Sequence, residues 1–78
     1  MMNTLPYIEK DGRKLSIQSM RVQGEERELQ VLSSAAGFYI GTLCDIGTPN
    51  SRDSGYYASP EDAQADLDAG TFMPRLTP

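Results

Sequence analysis

The chain has 78 residues, of which 38% are hydrophobic and 23% are charged, and this composition predicts one small soluble domain with a thin core. It contains no histidine, which excludes Ser-His and Cys-His nucleophile pairs, histidine acid–base pairs and histidine-ligated zinc sites. The net charge of −4 arises entirely in residues 31–78, where two bases stand against six acids. This imbalance disfavours a nucleic-acid ligand and favours a basic protein surface as the partner.

The chain has no sequence feature that directs it to a membrane. No apolar run approaches the roughly 18–20 residues that span a bilayer, and residues 1–6 do not resemble a signal peptide. Cys44 is the one cysteine of the chain, so it cannot form an internal disulfide, in agreement with a reducing compartment. We therefore predict a cytoplasmic protein that forms a single domain over residues 1–78.

The first predicted element is a β-hairpin with Asp11-Gly12 at its tip, because this dipeptide favours the type I′ turn. The register pairs three positions across the hairpin: Ile8 with Leu15, Glu9 with Lys14, and Pro6 with Ile17. One face is thereby apolar and buried, and the other carries an ion pair. After Ile17 the apolar alternation slips, which predicts a bulge or bend near residues 18–19 in a broken strand.

Two further strands are predicted in the middle of the chain. Residues 27–33 follow a turn and place Leu29 and Val31 on one face. Residues 38–44 are apolar on much of both faces, which indicates a strand in the centre of the sheet. We expect Cys44, at the end of this strand, to be buried and unreactive.

A helix over residues 60–69 is predicted by its capping signals. Ser59 suits the N-cap, Pro60 the first helical position and Gly70 the left-handed position after the helix. Ala63 and Leu67 form a narrow apolar stripe, which fits a helix lying across one face of an antiparallel sheet. We therefore predict an α+β fold, with a four- or five-stranded antiparallel meander sheet covered by this one helix.

The tail of the chain is predicted to add a short extended segment. Residues 73–76, of sequence MPRL, are expected to lie against the sheet edge.

The acidic side chains of the predicted helix are the first candidates for partner contacts: Glu61, Asp62, Asp66 and Asp68. They form either a solvated acidic face or an acidic patch directed at a partner. Asp66 and Asp68 lie toward the negative end of the helix dipole, so helix stability does not explain them.

The loop over residues 51–57 supplies the other candidates: Arg52, Asp53, Tyr56 and Tyr57. In one interpretation the loop is a simple turn, with Arg52 bonded to backbone carbonyls. In the other, Arg52 is an exposed anchor beside the tyrosines, because Arg and Tyr are enriched at interface hot spots. If the segment is extended, one of the two tyrosines points away from the core.

Three segments of the chain carry a resemblance: GFYIGT, a turn ending in SRDSGYY, and the helix SPEDAQADLDAG. Over residues 37–72 they resemble small uncharacterised bacterial and phage proteins with the pattern G(F/Y)YIGT, a Gly/Pro turn, SR(E/D)S, an aromatic pair and a capped helix ending in glycine. Phe72 stands where that pattern has tryptophan. The resemblance implies a phage or mobile-element setting, in which very small acidic proteins often inhibit host defence, anti-CRISPR proteins among them.

These observations predict a non-enzymatic binding protein without a catalytic site, cofactor or metal. We expect an inhibitor that occupies a basic surface of a larger host protein or ribonucleoprotein, such as a CRISPR complex, and that binds neither nucleic acid directly nor a membrane. The alternative is a structural or regulatory accessory domain that forms a homodimer through a sheet edge. A small enzyme and a nucleic-acid-binding protein rank below both of these functions.

Overall fold

The structure, a computed structural model, describes residues 5–73. Its elements in chain order are β1 (Ile8–Lys10), β2 (Arg13–Leu15), α1 (Ile17–Gln23), β3 (Gln30–Ser34), β4 (Gly37–Leu43), β5 (Pro49–Arg52) and α2 (Pro60–Ala69). The strands form a two-stranded sheet, β1–β2, and a three-stranded sheet in the order β3–β4–β5, and every pair is antiparallel. The α+β class is confirmed. The single meander sheet with one helix is wrong, because the strands divide between two sheets and a second helix lies between them.

The N-terminal hairpin has the predicted tip and the predicted register. Asp11 and Gly12 have φ angles of 54° and 77°, as a type I′ turn requires. Ile8 pairs with Leu15 and Glu9 with Lys14, and Leu15 is fully buried. The Lys14 ammonium lies 5.5 Å from the centre of the Tyr7 ring. Ile8 and Leu15 therefore share a face, as predicted, although Ile8 is only partly buried, and Lys14 on the other face contacts an aromatic ring. The predicted ion pair of Glu9 with Lys14 is wrong, since it is not among the ion pairs of residues 5–73.

Helix α1 replaces the predicted bulged strand, so the predicted pairing of Pro6 with Ile17 does not occur. The Ser16 side chain caps the helix by accepting a hydrogen bond from the Ser19 N–H at 3.0 Å. At the other end Gly24 has a φ of 66°, and its N–H bonds the carbonyl of Met20 at 3.0 Å. The slip in the apolar alternation therefore marks a capped helix of seven residues and not a bulge.

Within residues 5–73, an antiparallel bridge between Leu15 and Glu28 joins the two sheets. The Ser16 N–H bonds the Arg27 carbonyl at 2.9 Å, and the Leu29 N–H bonds the Lys14 carbonyl at 2.9 Å. The named strand β3 begins only after these contacts, at Gln30. Within the described residues, β2 therefore covers the approach to β3, and β3 itself is an edge strand of the three-stranded sheet.

Helix α2 covers one face of the three-stranded sheet and has the predicted limits. Ser59 accepts a hydrogen bond from the Asp62 N–H at 3.2 Å, and Gly70 has a φ of 69°. The buried core beneath the helix consists of Leu29, Ile40, Ala63, Leu67 and Phe72. Tyr7, Val31, Phe38 and Tyr57 pack around this core and are partly buried.

The opposite face of the sheet has a smaller aromatic cover. Tyr39 is only 2% exposed, because the ring of Tyr56 packs edge-on against it at a centroid distance of 5.9 Å. Gly41 lies next to this pair, and a Cβ atom there would come within 2.1 Å of the Ser51 carbonyl oxygen. Glycine is therefore required at this position for β4 and β5 to pair.

None of the helices within residues 5–73 is long and apolar enough to cross a bilayer. The predicted extended tail lies largely outside the described residues, which end at Met73.

Candidate functional site

Asp53, one of the predicted contact residues, is buried and not on the surface. It is 3% exposed, and its carboxylate accepts hydrogen bonds from the hydroxyls of Ser16 and Ser51, both at 2.7 Å. Its backbone N–H donates to the Ile40 carbonyl at 2.8 Å. Asp53 thus ties the N-cap of α1 to β5 and β4, because buried carboxylates require several hydrogen-bond donors.

The hydrogen bonds of Asp53 continue into a polar layer between α1 and the sheet. Thr42, which is fully buried, lies 2.7 Å from the Ser51 hydroxyl and 3.3 Å from the Ser19 hydroxyl. The Asn50 amide donates to Ser19 at 3.1 Å and to Thr42 at 3.2 Å. Among the described residues, every buried side-chain nitrogen or oxygen has a hydrogen-bond partner. The side chains of this layer therefore hold α1 on the sheet through polar contacts.

A shallow pocket of about 200 Å³ opens beside this polar layer. Its lining comes from α1 and β5: Gln18, Ser19, Val22, Gln23, Asn50 and Ser51. The amides of Gln23 and Asn50 bond each other in both directions, at 2.8 and 3.0 Å. The polar groups of the pocket wall are thus engaged with one another.

Arg52 and Tyr56 form a pair on the sheet face that is opposite to α2. Arg52 pairs with Gly41 across the strands and so shares the face of Tyr39. The Arg52 guanidinium donates a hydrogen bond to the Tyr56 hydroxyl and lies 5.8 Å from the ring centroid. Tyr56 is 39% exposed. The Arg52 side chain therefore contacts a tyrosine, not the backbone carbonyls that the simple-turn interpretation required.

Tyr57 faces the core, whereas Tyr56 points away from it. This confirms the prediction that one of the two tyrosines points away from the core. The Tyr57 hydroxyl donates to the Asp66 carboxylate at 2.9 Å. Partial burial, together with this hydrogen bond and the negative charge of Asp66, raises the pKa of Tyr57 to about 12. Asp66 also lies 3.4 Å from the Thr71 hydroxyl, which donates to it. These contacts explain why an acid is kept near the C-terminal end of α2.

The remaining acids of α2 are exposed: Glu61, Asp62 and Asp68. Asp68 accepts a hydrogen bond from the Gln64 amide at 2.8 Å. The ion pairs of the described residues are Lys10–Glu26, Arg27–Glu25 and Arg27–Asp45, and none of them reaches α2. Within residues 5–73, the exposed carboxylates of α2 therefore form no ion pair with a base.

The eight predicted contact residues do not form one continuous surface. Three lie on the exposed side of α2, two lie on the opposite sheet face, two contact each other beside the core, and Asp53 is buried. Sequence periodicity could not reveal this division, because it depends on which face of the sheet each loop residue reaches. The role of Ser16 was also missed, since its partner Asp53 lies 37 residues away in the chain.

The prediction that Cys44 is buried is wrong. β4 ends at Leu43, and Cys44 begins a turn in which its N–H bonds the Thr48 carbonyl at 2.8 Å. The thiol is partly exposed and lies 2.8 Å from the Thr48 hydroxyl. Hydrogen bonds from this hydroxyl and from the backbone of Ile46 and Thr48 lower the pKa of the Cys44 thiol. The apolar alternation continues one residue beyond the strand, which is why the sequence pattern placed Cys44 inside it.

Comparison with known proteins gives no match: no protein-family model, no curated protein and no solved structure is significantly similar to this chain. Within residues 5–73, no group of three or more His, Cys, Asp or Glu side chains is arranged to hold a metal ion.

Proposed function

We propose that the protein is a small non-enzymatic binding module whose exposed α2 acids dock onto a basic surface of a larger host protein or ribonucleoprotein. The observation that supports this proposal best is the exposure of Glu61, Asp62 and Asp68 on one helix, where none of the ion pairs described for residues 5–73 reaches them. Such a surface accelerates encounters with a basic partner and adds to the specificity of binding.

The biological setting that we propose is a phage or mobile element, with the protein acting in the host cytoplasm as an inhibitor of a defence complex of the anti-CRISPR type. Its support is the resemblance of residues 37–72 to small phage and bacterial proteins, together with the acidic charge. In this setting the inhibitor covers a basic surface that the host complex uses for nucleic acid, and it needs no direct nucleic-acid contact of its own.

Arg52 and Tyr56 are proposed as a second contact surface. Their mutual hydrogen bond and the packing of Tyr56 on Tyr39 hold both side chains in place before binding. A pre-organised Arg–Tyr pair loses little side-chain entropy when it contacts a partner. Because this pair lies on the face opposite to α2, it contacts either a second partner or a partner that reaches around the sheet.

The alternative function is a structural or regulatory accessory domain that dimerises through a sheet edge. The observation that favours it is the position of β3 at the edge of the three-stranded sheet. A second copy could pair along this strand. This alternative predicts that the apparent mass in solution doubles as the protein concentration rises.

Affinity capture from a host lysate tests the proposal. Immobilised wild-type protein should retain one host protein or complex, identified by mass spectrometry. The double variant Asp62→Lys with Asp68→Lys should retain much less of it. The matched control Glu9→Lys with Glu28→Lys changes the net charge equally at exposed positions outside α2. Equal retention by both double variants, or no specific retention by the wild type, would contradict the proposal.

A further inference from the structure

The outer edge of β3 has backbone groups that are ready to pair with another strand. The Leu29 N–H and the Arg27 carbonyl bond β2, so the odd-numbered residues of this stretch direct their backbone groups away from β4. By the same alternation, Val31 and Ser33 direct their N–H and carbonyl groups outward. Within the described residues, the hydrogen bonds of β2 to this stretch end at Leu29.

The side chains of β3 do nothing to block such pairing. The strand Gln30–Ser34 has no charged residue and no proline, and its register with β4 is regular over all five residues. Natural proteins usually protect an edge strand with charges, proline or a bulge. The edge of β3 has none of these devices, so it is suited to accept an extended segment.

The geometry of α2 gives this edge an acidic wall. Ala63 and Leu67 point to the sheet, and Asp66 points to Tyr57, which pairs with Phe38 on the side of β4 away from β3. Successive helix residues are rotated by about 100°, so Asp62 shares the flank of Asp66. Glu61, Gln64 and Asp68 fall on the opposite flank, toward the outer edge of β3. A strand added beside β3 would therefore have carboxylates next to one of its two faces, the face on the α2 side of the sheet.

We infer that the β3 edge binds an extended segment of the partner protein in which basic side chains alternate with apolar ones. The segment adds a strand beside β3, its backbone pairs with Val31 and Ser33, and its basic side chains face Glu61 and Asp68. Its apolar side chains lie on the other face beside Leu32, which is half-buried. The inference rests on the proposed function for the basic character of the partner, and it adds the mode of recognition: β-strand addition with charge complementarity.

A synthetic peptide of sequence Thr-Lys-Val-Lys-Val-Lys-Thr is the probe that tests this inference. It should bind the wild-type protein, whereas the same peptide with glutamate in place of lysine should not. Two further peptides carry N-methyl groups, one on the three lysines and the other on the two valines. One of these two should bind at least about tenfold more weakly and the other should bind as the parent, since only one edge of the added strand pairs with β3. Loss with the methylated lysines indicates antiparallel addition, and loss with the methylated valines indicates parallel addition.

Two measurements on the protein complete the test. Peptide binding should slow hydrogen exchange of the Val31 and Ser33 amides, while the Gln30 and Leu32 amides, which face β4, provide the internal control. Asp68→Lys should weaken peptide binding more than Asp62→Lys does. Both substitutions change the net charge equally, but of the two positions only Asp68 lies on the β3 flank of α2. If charge affects binding but both methylated peptides bind as the parent, strand addition is wrong and the proposed function stands. The inference is overturned if self-association of the chain, without any peptide, is enough to slow hydrogen exchange at Val31 and Ser33. It is also overturned if none of the peptides binds.

Discussion

Tyr57 and Asp66 show how a residue with an interface signature can serve the fold instead. Tyrosines and acids were both predicted to face a partner, yet the Tyr57 hydroxyl bonds Asp66 at 2.9 Å and the ring packs against the core. The bond joins the segment after β5 to α2. Residue type alone therefore does not separate a contact residue from a structural one, because the distinction depends on where the neighbouring element lies.

The Tyr57–Asp66 contact predicts a loss of stability at high pH. Because the pKa of Tyr57 is raised to about 12 in the folded protein, above the value of about 10 for an unfolded chain, folding holds this proton more tightly. The stabilisation is complete below pH 10 and declines as the pH rises from about 10 to 12. Chemical denaturation across this range should show that Tyr57→Phe removes part of the decline. An identical pH profile for the variant and the wild type would contradict the contact.

Cys44 is predicted to react in the native protein. Its thiol is partly exposed, and the hydrogen bond from Thr48 lowers its pKa, so more thiolate is present at neutral pH than for an ordinary cysteine. A maleimide reagent should label the folded protein rapidly, and Thr48→Val should slow the labelling while circular dichroism stays unchanged. Labelling that begins only when denaturant unfolds the chain would show that Cys44 is buried after all.

At the scale of the elements, the correct predictions rest on local sequence signals. The Asp11-Gly12 turn fixed the hairpin register, and the Ser59, Pro60 and Gly70 positions fixed both ends of α2. Helix α1 was missed because it has only seven residues and its most exposed apolar residue, Val22, breaks any apolar stripe. The Ser16 cap and Gly24 were present in the sequence, but Ser16 depends on Asp53, a contact that no local pattern reveals.

The polar layer under α1 predicts a large effect from a small substitution. Ser16→Ala removes both the N-cap of α1 and one donor to the buried Asp53 carboxylate. We expect the free energy of unfolding to fall by about 2 kcal/mol, since a lost cap and a buried acceptor with fewer donors each destabilise by about 1 kcal/mol or more. Ser33→Ala, at an exposed position on β3, should change it by less than about 0.5 kcal/mol. Similar values for the two variants in urea denaturation would show that the layer contributes little.

At the scale of the whole molecule, charge is distributed along the chain as the sequence indicated. The surfaces on which the candidate contact residues lie were not predicted. The described ion pairs all involve bases from the N-terminal half, and α2 retains its exposed acids. The division of the loop and helix residues between two surfaces was not predictable, because the β5 register sends Arg52 to one sheet face while α2 packs on the other. The sheet separates these two surfaces, so substitutions can test each of them independently.

The separation predicts different kinetic effects from the two surfaces. Arg52→Ala removes a desolvated anchor if the sheet face contacts the partner, so the dissociation rate should rise by a factor that corresponds to about 1–3 kcal/mol. Tyr56→Phe keeps the ring on Tyr39 and removes only the hydrogen bond to Arg52, and it serves as the milder control. Unchanged dissociation from the captured partner in both variants would remove this face from the proposed interface.

The association rate constant of the captured host partner, measured over a series of salt concentrations, is the direct test of whether the acids of α2 guide binding. If the acids of α2 guide the partner to its site, the variant Asp62→Lys with Asp68→Lys should associate more slowly than the wild type and show a weaker dependence on salt. The control Glu9→Lys with Glu28→Lys has the same net charge as the α2 double variant, but its association rate and salt dependence should remain closer to those of the wild type. Equal association rates and equal salt dependence for the two double variants would contradict the account.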